Sequence, residues 1–299
     1  IDKATGARHQ ARANVVVLCA STIESIRLLL NSKGEKHPNG LGNSSGLVGR
    51  YFMDQMLTLG FGTVPGFKGG ELVDGTSPAD NHGGIYIPRF RQLKAPGSLG
   101  YHGGFNLQGI IGRPMLPPHM DAVFGLTGHG EILPHVDNRV GLASRRDRLG
   151  VPIPAVSLRL RDNDLRLLRD QVTTQREMMQ TAGLGIDFLI SPLGIEPTGR
   201  FMPNAKWYER LMFRLAYKRS VAVGGAIHEC GGARMGDGPK TSVLNAMNQV
   251  WDAPNVFVTD SSCFVTNGTC GPTLTTMALT VRACEHIGRE YGHSPELRA

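Results

Sequence analysis

An apolar run at residues 15–19 leads directly into a helical pattern, and this strand-to-helix step constrains the fold more than any other feature of the sequence. Ser21 and Glu24 have the spacing of a capping box at the start of the predicted helix. The apolar stripe of this helix consists of Ile23, Ile26, Leu29 and Leu30. Nucleotide-binding sheets use such a step to present backbone N–H groups to phosphate or ribose, and an ordinary βα connection is the alternative.

A complete dinucleotide-binding fold has a G-x-G-x-x-G turn after its first strand. No such segment followed by a helix occurs in the sequence. The chain therefore either binds no nucleotide or lacks the N-terminal part of a nucleotide-binding fold. The sequence does not begin with Met, and residues 1–9 read as two short strands joined by a turn at Thr5 and Gly6.

The sequence contains 39 glycines and 18 prolines, more than a helical bundle tolerates, because both residue types destabilise helices. Between about residues 56 and 160, apolar runs separated by Gly and Pro predict an antiparallel sheet. These runs are 57–64, 84–90, 122–132 and 151–160. An α/β or α+β architecture is therefore expected.

A long helix is predicted after these strands, with Asn163 or Asp164 as its cap and Gly183 at its end. One side of this helix is apolar, whereas Arg, Asp and Gln occupy the other side. The apolar residues are Leu165, Leu168, Val172 and Met179. Residues 184–219 read as irregular, and we expect their aromatic side chains to pack against the rest of the protein, with a pocket wall as the alternative.

The formal net charge is +7, but the basic residues are scattered along the chain. This pattern favours a solvated surface over nucleic-acid binding, for which the basic residues would be concentrated. Docking to an acidic protein or a membrane surface is a weaker alternative. No run of eighteen apolar residues is present, so no integral membrane segment is expected. The sequence does not indicate the cellular compartment.

The five cysteines include no Cys-x-x-Cys pair and are odd in number. Neither a metal site nor a disulfide framework is therefore expected. Cys263 and Cys270 are close enough in sequence to bridge a short loop, although small buried thiols are more common.

His228 is the main candidate for chemistry. It follows residues 221–227, which read as a buried strand, and precedes Gly231 and Gly232. These glycines would let the backbone approach a planar ligand closely. An imidazole with an unperturbed pKa near 6.5 accepts an alcohol proton around neutral pH, and a structural histidine is the alternative.

A second strand, 256–259, ends at Asp260, and a loop leads from there to Pro272. Pro272 occupies the expected first position of a helix over residues 273–291. We expect the apolar residues of this helix to be buried, namely Leu274, Met277, Ala278, Val281, Cys284 and Ile287. The helix N-terminus would offer N–H donors and about half a positive charge to a cofactor, whereas a helix that only packs on the core is the alternative.

The order of these elements resembles the glucose-methanol-choline (GMC) family of FAD-dependent oxidoreductases. Residues 15–30 are similar to the family's strand and helix near the adenosine part of FAD, and 46–55 to its Gly-x-x-Gly-Arg-x-x-Met-Asp-His connector. Residues 226–287 are similar to its C-terminal signature. The sequence after His228 and the segment 86–91 resemble bacterial sugar and glycoside dehydrogenases and the pyranose-oxidase branch.

The resemblance implies an α/β fold with two parts. Residues 1–50 and 221–299 would form a Rossmann-like FAD-binding domain that is incomplete in this chain. Residues 51–220 would form an α+β substrate-binding domain built on an antiparallel sheet. The expected partner is the N-terminal half of the flavoprotein, bearing the G-x-G-x-x-G motif, as in a split or cleaved flavoprotein or an incomplete chain.

The implied activity is FAD-dependent oxidation of a sugar or glycoside secondary alcohol to the ketone, by a dehydrogenase or an oxidase. His228 would accept the hydroxyl proton while hydride passes to flavin N5. The implied FAD contacts are Ala20 and Ser21 near the adenosine, Asp260 and Ser261 near the ribityl chain and pyrophosphate, and Gly271, Pro272, Thr273 and Leu274 beside the flavin ring. A quinone, a cytochrome or oxygen would then reoxidise the flavin.

Two positions depart from the family pattern. Gly271 stands where the family usually has Asn or His as a second catalytic group, so Asn267 or a water molecule is the candidate to bind the substrate hydroxyl. Gln55 stands where the connector often has His. A non-catalytic flavin-binding subunit of a split flavoprotein is therefore the alternative function, and a basic nucleic-acid-binding module is a third.

Overall fold

The computed structural model describes residues 2, 4–68, 82–112, 117, 119–196, 202, 205–220 and 223–292. Within these residues the chain forms a small mixed sheet, a six-stranded antiparallel sheet, a two-stranded hairpin and four α-helices. This mixed architecture with an antiparallel sheet confirms the predicted fold class. No helix of the described ranges is long and apolar enough to cross a membrane.

The small sheet joins two distant parts of the chain. Strands β1 (Val16–Leu18) and β11 (Ala253–Val258) pair in parallel, and β10 (Gln249–Val250) pairs antiparallel with the other edge of β11. Helix α1 (Thr22–Asn31) follows β1 with only a short connection, so the predicted strand-to-helix step is confirmed.

The capping box predicted at the start of α1 is wrong. Ser21 has a φ of 81°, and its exposed side chain makes no capping hydrogen bond. Instead, Thr22 Oγ1 donates to the Glu229 carbonyl at 2.8 Å. A long-range contact therefore replaces the local one and ties the first turn of α1 to the segment that contains His228.

The two strands predicted within residues 1–9 do not form in the described part of this segment. The Asp2 carboxylate accepts hydrogen bonds from the backbone N–H groups of Ala4 and Thr5 and from the Thr5 hydroxyl. The Gly6 N–H donates to the Asp2 carbonyl. These local hydrogen bonds close a turn and compete with strand pairing.

The six-stranded sheet has the order β3-β4-β5-β2-β8-β9, and every neighbouring pair is antiparallel. Its strands are β2 (Gln55–Lys68), β3 (His82–Ile87), β4 (Phe105–Gly112), β5 (Asp121–Glu131), β8 (Gly185–Ser191) and β9 (Gly194–Glu196). The predicted antiparallel sheet is confirmed, although the sequence analysis contains no prediction for β4.

Helix α2 (Asp162–Thr181) packs on one face of this large sheet, and its predicted apolar face is largely buried. The prediction that its glutamines face away from the core is wrong. Gln171 donates to a β2 carbonyl at 3.2 Å and to Thr58 Oγ1 at 3.0 Å, and Gln175 donates to a β5 carbonyl at 2.7 Å. The sheet thus satisfies these buried amides, which a hydrophobic pattern does not reveal.

The prediction that Asn163 or Asp164 caps α2 is wrong, because the N-cap is Arg161 and both predicted residues lie in the first turn. Asp164 accepts a hydrogen bond from the Arg161 backbone N–H at 2.8 Å, so Asp164 rather than Asn163 stabilises this end. The helix ends two residues before Gly183, as the sequence predicts.

The run predicted at 151–160 forms β7 (Pro152–Ser157), but β7 pairs with β6 (Arg139–Arg146) instead of joining the large sheet. This hairpin packs on α1, and Val140 belongs to the same buried cluster as Ile26. A second buried cluster lies between the large sheet and α2. The division of the chain at residues 50 and 220 stays a prediction.

The prediction that residues 184–219 are irregular is wrong, because they contain β8, β9 and helix α3 (Trp207–Ser220). Phe188 stacks on Phe61 of β2 with ring centroids 5.4 Å apart, and Phe213 of α3 lies 5.5 Å from Phe188. Cross-strand aromatic pairs of this kind stabilise sheets. The expected aromatic packing is found for Phe213 but not for Trp207, which is 74% exposed.

The strand predicted at 221–227 is wrong in its described part, and residues 221 and 222 lie outside the described residues. Residues 223–226 form a turn in which Gly224 has a φ of 101°. Ile227 has a φ of 60° and is 76% exposed. Left-handed backbone at two positions does not fit a strand.

Helix α4 (Thr273–Tyr291) has the predicted bounds, with Pro272 at its N-cap. The prediction that its apolar face is buried is wrong. Of the six apolar residues predicted to be buried in this helix, only Ile287 is partly buried. The other five are exposed, namely Leu274, Met277, Ala278, Val281 and Cys284. The helix packs on the first cluster by its other side, where Thr280 Oγ1 donates to the Thr259 carbonyl at 2.9 Å. Its apolar face therefore lies on the surface of this chain.

Candidate active site

The backbone at His228 is fixed from two sides. The Asp54 carboxylate accepts hydrogen bonds from the His228 N–H at 2.8 Å and from the Ala226 N–H at 3.2 Å. Met53 and Cys230 exchange backbone hydrogen bonds at 2.8 and 2.9 Å. Asp54 is fully buried, and its pKa is raised by this burial. The connector before β2 thus positions the segment that contains the candidate base.

The two glycines after His228 accommodate protein groups. A Cβ at Gly231 would lie 2.2 Å from the Tyr51 carbonyl oxygen, and a Cβ at Gly232 would lie 2.2 Å from Ile26 Cδ1. Both glycines have a positive φ. The close approach that the sequence suggests for a planar ligand is therefore taken by the connector and by α1.

The imidazole of His228 is held by Gln55, the first residue of β2. The distance from His228 Nδ1 to Gln55 Oε1 is 2.6 Å. Gln55 Nε2 donates to the carbonyls of Gly268 at 3.1 Å and Cys270 at 2.9 Å. A Cβ added at Gly271 would lie 3.5 Å from His228 Nε2. The second imidazole nitrogen therefore faces the loop that leads into α4.

A second histidine, which the sequence analysis missed, lies beside His228. The ring centroids of His129 and His228 are 5.1 Å apart, and Gln108 Nε2 lies 2.9 Å from His129 Nε2. His129 is 6% exposed, and burial followed by the neighbouring His228 lowers its pKa to about 4. His129 is therefore neutral near pH 7.

Further polar side chains on the same face of the large sheet hold the loop before α4. Asn106 of β4 donates to the Thr269 carbonyl at 2.7 Å, and the Thr266 hydroxyl donates to Glu131 of β5 at 2.7 Å. The Tyr86 hydroxyl lies 3.1 Å from Cys270 Sγ. The signal in the sequence is the polar alternation at 106 and 108 and at 127, 129 and 131, which places these residues on one face of the sheet.

Three predicted cofactor contacts, Ala20, Ser21 and Asp260, lie beyond the carboxyl ends of β1 and β11. The Ala20 N–H donates to the Ser25 hydroxyl at 3.2 Å, and that hydroxyl donates to the Asp260 carboxylate. Asp260 also accepts from the N–H and the hydroxyl of Ser262, at 2.9 and 2.6 Å. Ser21 is exposed at the same edge. Ligands of parallel sheets bind at this edge.

The remaining predicted contacts lie at the start of α4. Ser261 Oγ is 2.7 Å from Thr276 Oγ1, so the turn after β11 is fixed to the first turns of the helix. Thr273 and Leu274 are exposed, and Leu274 is 78% exposed. The structure therefore brings the helix start and His228 to the same loop, whereas Ala20 and Ser21 lie at the sheet edge.

Asn267 occupies a buried position in that loop. It is 6% exposed, and neither atom of its amide group has a hydrogen-bond partner among the described residues. It directly precedes Gly268, whose carbonyl is held by Gln55. A contact between Asn267 and His228 is not among the described interactions, so its catalytic role stays a prediction.

The cysteines form no disulfide in the structure. Cys263 is buried, and this burial raises its pKa to about 12, whereas Cys270 is exposed. Within the described ranges, no group of three or more His, Cys, Asp or Glu side chains is arranged to bind a metal ion.

Comparisons with known proteins agree on one family. Residues 134–280 match the family model described as GMC oxidoreductase. The 2-methyl-1,2-propanediol dehydrogenase of Mycolicibacterium austroafricanum is 31% identical over 308 residues, covering 97% of this chain and 50% of that protein. The paromamine 6'-oxidase of Streptomyces fradiae is 28% identical, covering 96% of this chain and 48% of that protein.

The fructose dehydrogenase large subunit of Gluconobacter japonicus is 27% identical, covering 93% of this chain and 48% of that protein. This chain thus spans about half the length of the curated relatives it matches. Among solved structures, formate oxidase has a TM-score of 0.59 at 16% identity over 93% of this chain and 54% of that chain. Pyridoxine 4-oxidase from Mesorbium loti has a TM-score of 0.54 at 18% identity over 94% and 52%. These structural likenesses show a shared fold.

Proposed function

Because the chain carries the C-terminal domain of a GMC oxidoreductase, we propose that it forms the base-containing half of an FAD-dependent dehydrogenase or oxidase that acts on alcohols. The observation that supports this role most strongly is the position of His228. Its Nδ1 is bonded to Gln55, and its Nε2 faces the space beside Gly271, just before the start of α4. A base in this position could reach the hydroxyl of a substrate that lies beside Gly271.

In the proposed reaction, His228 Nε2 accepts the hydroxyl proton of the substrate as the C–H bond breaks and the carbonyl forms. Bound FAD would supply the hydride acceptor. The imidazolium that results keeps its Nδ1–H bond to Gln55. A positioned general base of this kind accelerates proton transfer by about a hundredfold to ten-thousandfold.

The residues present fit FAD at two places. The first backbone N–H groups of α4 have no hydrogen-bond partner within the helix. Thr273 is exposed, so these N–H groups could donate to an electron-rich flavin ring. Ser21 is exposed at the carboxyl edge of the small sheet, with its φ of 81°. The Asp260 side chain is committed to Ser25 and Ser262, so we propose that its backbone, rather than its carboxylate, contacts the cofactor.

A hydroxyl-rich substrate fits the polar face of the large sheet. Tyr86, Gln108 and Thr127 lie on the face that continues from His129, and none of the three is fully buried. Such side chains can donate to and accept from several hydroxyl groups. The relatives include proteins named 2-methyl-1,2-propanediol dehydrogenase, paromamine 6'-oxidase and fructose dehydrogenase large subunit. We therefore propose a sugar or glycoside secondary alcohol as the substrate, oxidised to the ketone.

The proposed partner is a polypeptide or segment that contains the phosphate-binding half of the FAD domain. In the described part of the chain, β1 has one neighbour in its sheet, and its Val16 and Val17 are 40% and 43% exposed. Strands of parallel sheets are normally buried on both faces. The exposed apolar face of α4 would be covered by the same partner.

The test combines the chain with the corresponding N-terminal part of a GMC flavoprotein bearing the G-x-G-x-x-G motif, in the presence of FAD. We expect anaerobic addition of sugars or glycosides to bleach the flavin absorbance. Flavin that binds without any alcohol-dependent bleaching would favour the second candidate, a non-catalytic flavin-binding subunit. That candidate is supported by Gly271, which has no side chain to serve as a second catalytic group.

A further inference from the structure

We infer that Gln55 is a positioning residue that holds the imidazole of His228 in the tautomer whose unprotonated nitrogen is Nε2, the nitrogen that faces Gly271. The role of His228 as a base rests on the proposed function. The tautomer itself can be measured without cofactor or substrate.

The orientation of the Gln55 amide is fixed by its surroundings. Gln55 is 1% exposed, and its Nε2 donates to two carbonyl oxygens, those of Gly268 and Cys270. A carbonyl oxygen only accepts hydrogen bonds, so flipping the amide would remove both bonds and bring oxygen against oxygen. A buried amide whose donors and acceptors lose their partners is strongly disfavoured, because no water replaces the lost hydrogen bonds. Oε1 is therefore the atom that faces His228.

The amide orientation decides the position of the imidazole proton. Gln55 Oε1 lies 2.6 Å from His228 Nδ1 and can only accept, so Nδ1 holds the proton. A neutral imidazole has one N–H, so Nε2 has the free lone pair. Nε2 is also the nitrogen that faces Gly271. When Nε2 takes up the hydroxyl proton, both nitrogens are protonated and the bond to Gln55 is unchanged.

The same amide joins the base to the start of α4. Gln55 begins β2, and it holds the carbonyls of 268 and 270 immediately before Gly271. A shift of this loop would therefore move or release the imidazole. The GMC connector often has a histidine at the position of Gln55. Glutamine carries no charge at any pH, so of the two hydrogen-bonded side chains only His228 can take up a proton.

The test is a two-bond ¹H–¹⁵N correlation spectrum of the chain labelled with ¹⁵N-histidine, recorded at alkaline pH so that the imidazoles are neutral. A His228→Asn variant assigns the signals. We expect Nδ1 of His228 to be the protonated nitrogen in the native chain. In Gln55→Met we expect both tautomers to exchange, and in Gln55→Glu we expect the Nδ1–H form to persist with protonation of His228 shifted to higher pH.

A matched control is Gln108→Met, which removes the amide beside His129 and should leave the His228 signals unchanged. A native spectrum with the proton on Nε2, or an unchanged tautomer in Gln55→Met, would overturn the inference. If Gln55→Met does not fold, the native spectrum and Gln55→Glu still decide the question.

Activity gives a separate readout. In the reconstituted flavoprotein we expect Gln55→Met to lower kcat roughly tenfold with little change in KM, because about one hydrogen bond that orients the base is lost. We expect Gln55→Glu to move the pH profile upward. A native chain that has the expected tautomer but never bleaches flavin would contradict the proposed function and leave this inference intact.

Discussion

The imidazole rings of His129 and His228 lie 5.1 Å apart, centroid to centroid, with 31° between their planes. His129 comes from β5 of the large sheet, and His228 comes from the loop that follows residues 223–226. The Gln108 amide lies beside the His129 ring, with Nε2 of Gln108 2.9 Å from Nε2 of His129. The candidate site therefore lies where the large sheet meets the C-terminal quarter of the chain.

Because His129 is buried and neutral, we expect the folded chain to lose stability in mild acid. Its pKa of about 4 in the folded chain lies below the ordinary value of 6.5, so the unfolded chain binds more protons between these values. The free energy of unfolding should therefore fall as pH falls from about 6.5 to about 4, by roughly 3 kcal/mol from this residue. Urea unfolding of the native chain and of His129→Gln across this range measures the difference. His9→Gln, at an exposed histidine, is the control, and equal pH dependence in His129→Gln and the native chain would contradict the assignment.

The close packing of α2 on the sheet at Gly128 leads to a prediction about the stability of a Gly128→Ala variant. A Cβ at this position would lie 2.4 Å from Thr58 Oγ1 and 2.7 Å from Gln171 Nε2, two buried groups that are hydrogen-bonded to each other. We expect Gly128→Ala to destabilise the chain by about 1–3 kcal/mol, the usual cost of overpacking. Gly125→Ala on the same strand meets nothing within 4 Å and should change the urea midpoint little. Equal stability of the two variants would show that α2 does not pack closely on the sheet at Gly128.

The missing side chain at Gly271 leads us to expect that an added amide raises kcat. A Cβ here would make only ordinary contact with His228 Nε2, at 3.5 Å, so this atom would not displace the base. We expect Gly271→Asn to place an amide beside the substrate hydroxyl and to raise kcat of the reconstituted flavoprotein several-fold, up to about tenfold for one added hydrogen bond. Gly271→Ala adds the Cβ without a donor and should give no gain. If both variants have the same kcat, a second group is not what the native site lacks.

We expect the proposed N-terminal partner to bind the exposed apolar face of α4. Met277 and Val281 are 60% and 59% exposed, so Met277→Gln with Val281→Gln should leave the stability of the isolated chain nearly unchanged. Burial of two such side chains at an interface contributes more than about 1.4 kcal/mol, so binding to the N-terminal part should weaken at least tenfold. Calorimetric titration measures this dissociation constant, with Glu290→Gln on the same helix as the control. Unchanged affinity in the double variant would exclude this face from the interface.

The elements that follow from local pattern could be predicted from the sequence. Strand β1, helix α1 and helix α4 have strong apolar runs and recognisable ends, and their positions agree with the structure. The burial of α4 could not be predicted, because the sequence shows which face is apolar but not what covers it. In this chain, Thr276 and Thr280 contact the sheet side through their hydroxyls, and the apolar face is left exposed.

The site was only partly predictable for a related reason. His228 and the start of α4 are marked by their own motif, but Gln55 and His129 reach the site through strand pairing that is distant in sequence. Leu57 of β2 pairs with His129 of β5, and the side chains of 55 and 129 consequently lie on one face. The strand prediction is wrong at residues 223–227, because their apolar composition favours a strand whereas Gly224 and Ile227 have left-handed backbone.

The most direct test of the central claim is the rate constant of anaerobic flavin bleaching by a sugar or glycoside in the reconstituted flavoprotein, compared between the native chain and His228→Ala. We expect the variant to bind FAD and to bleach it about a hundredfold to ten-thousandfold more slowly, because the base is lost. A variant that bleaches the flavin at the native rate would show that His228 is not the base.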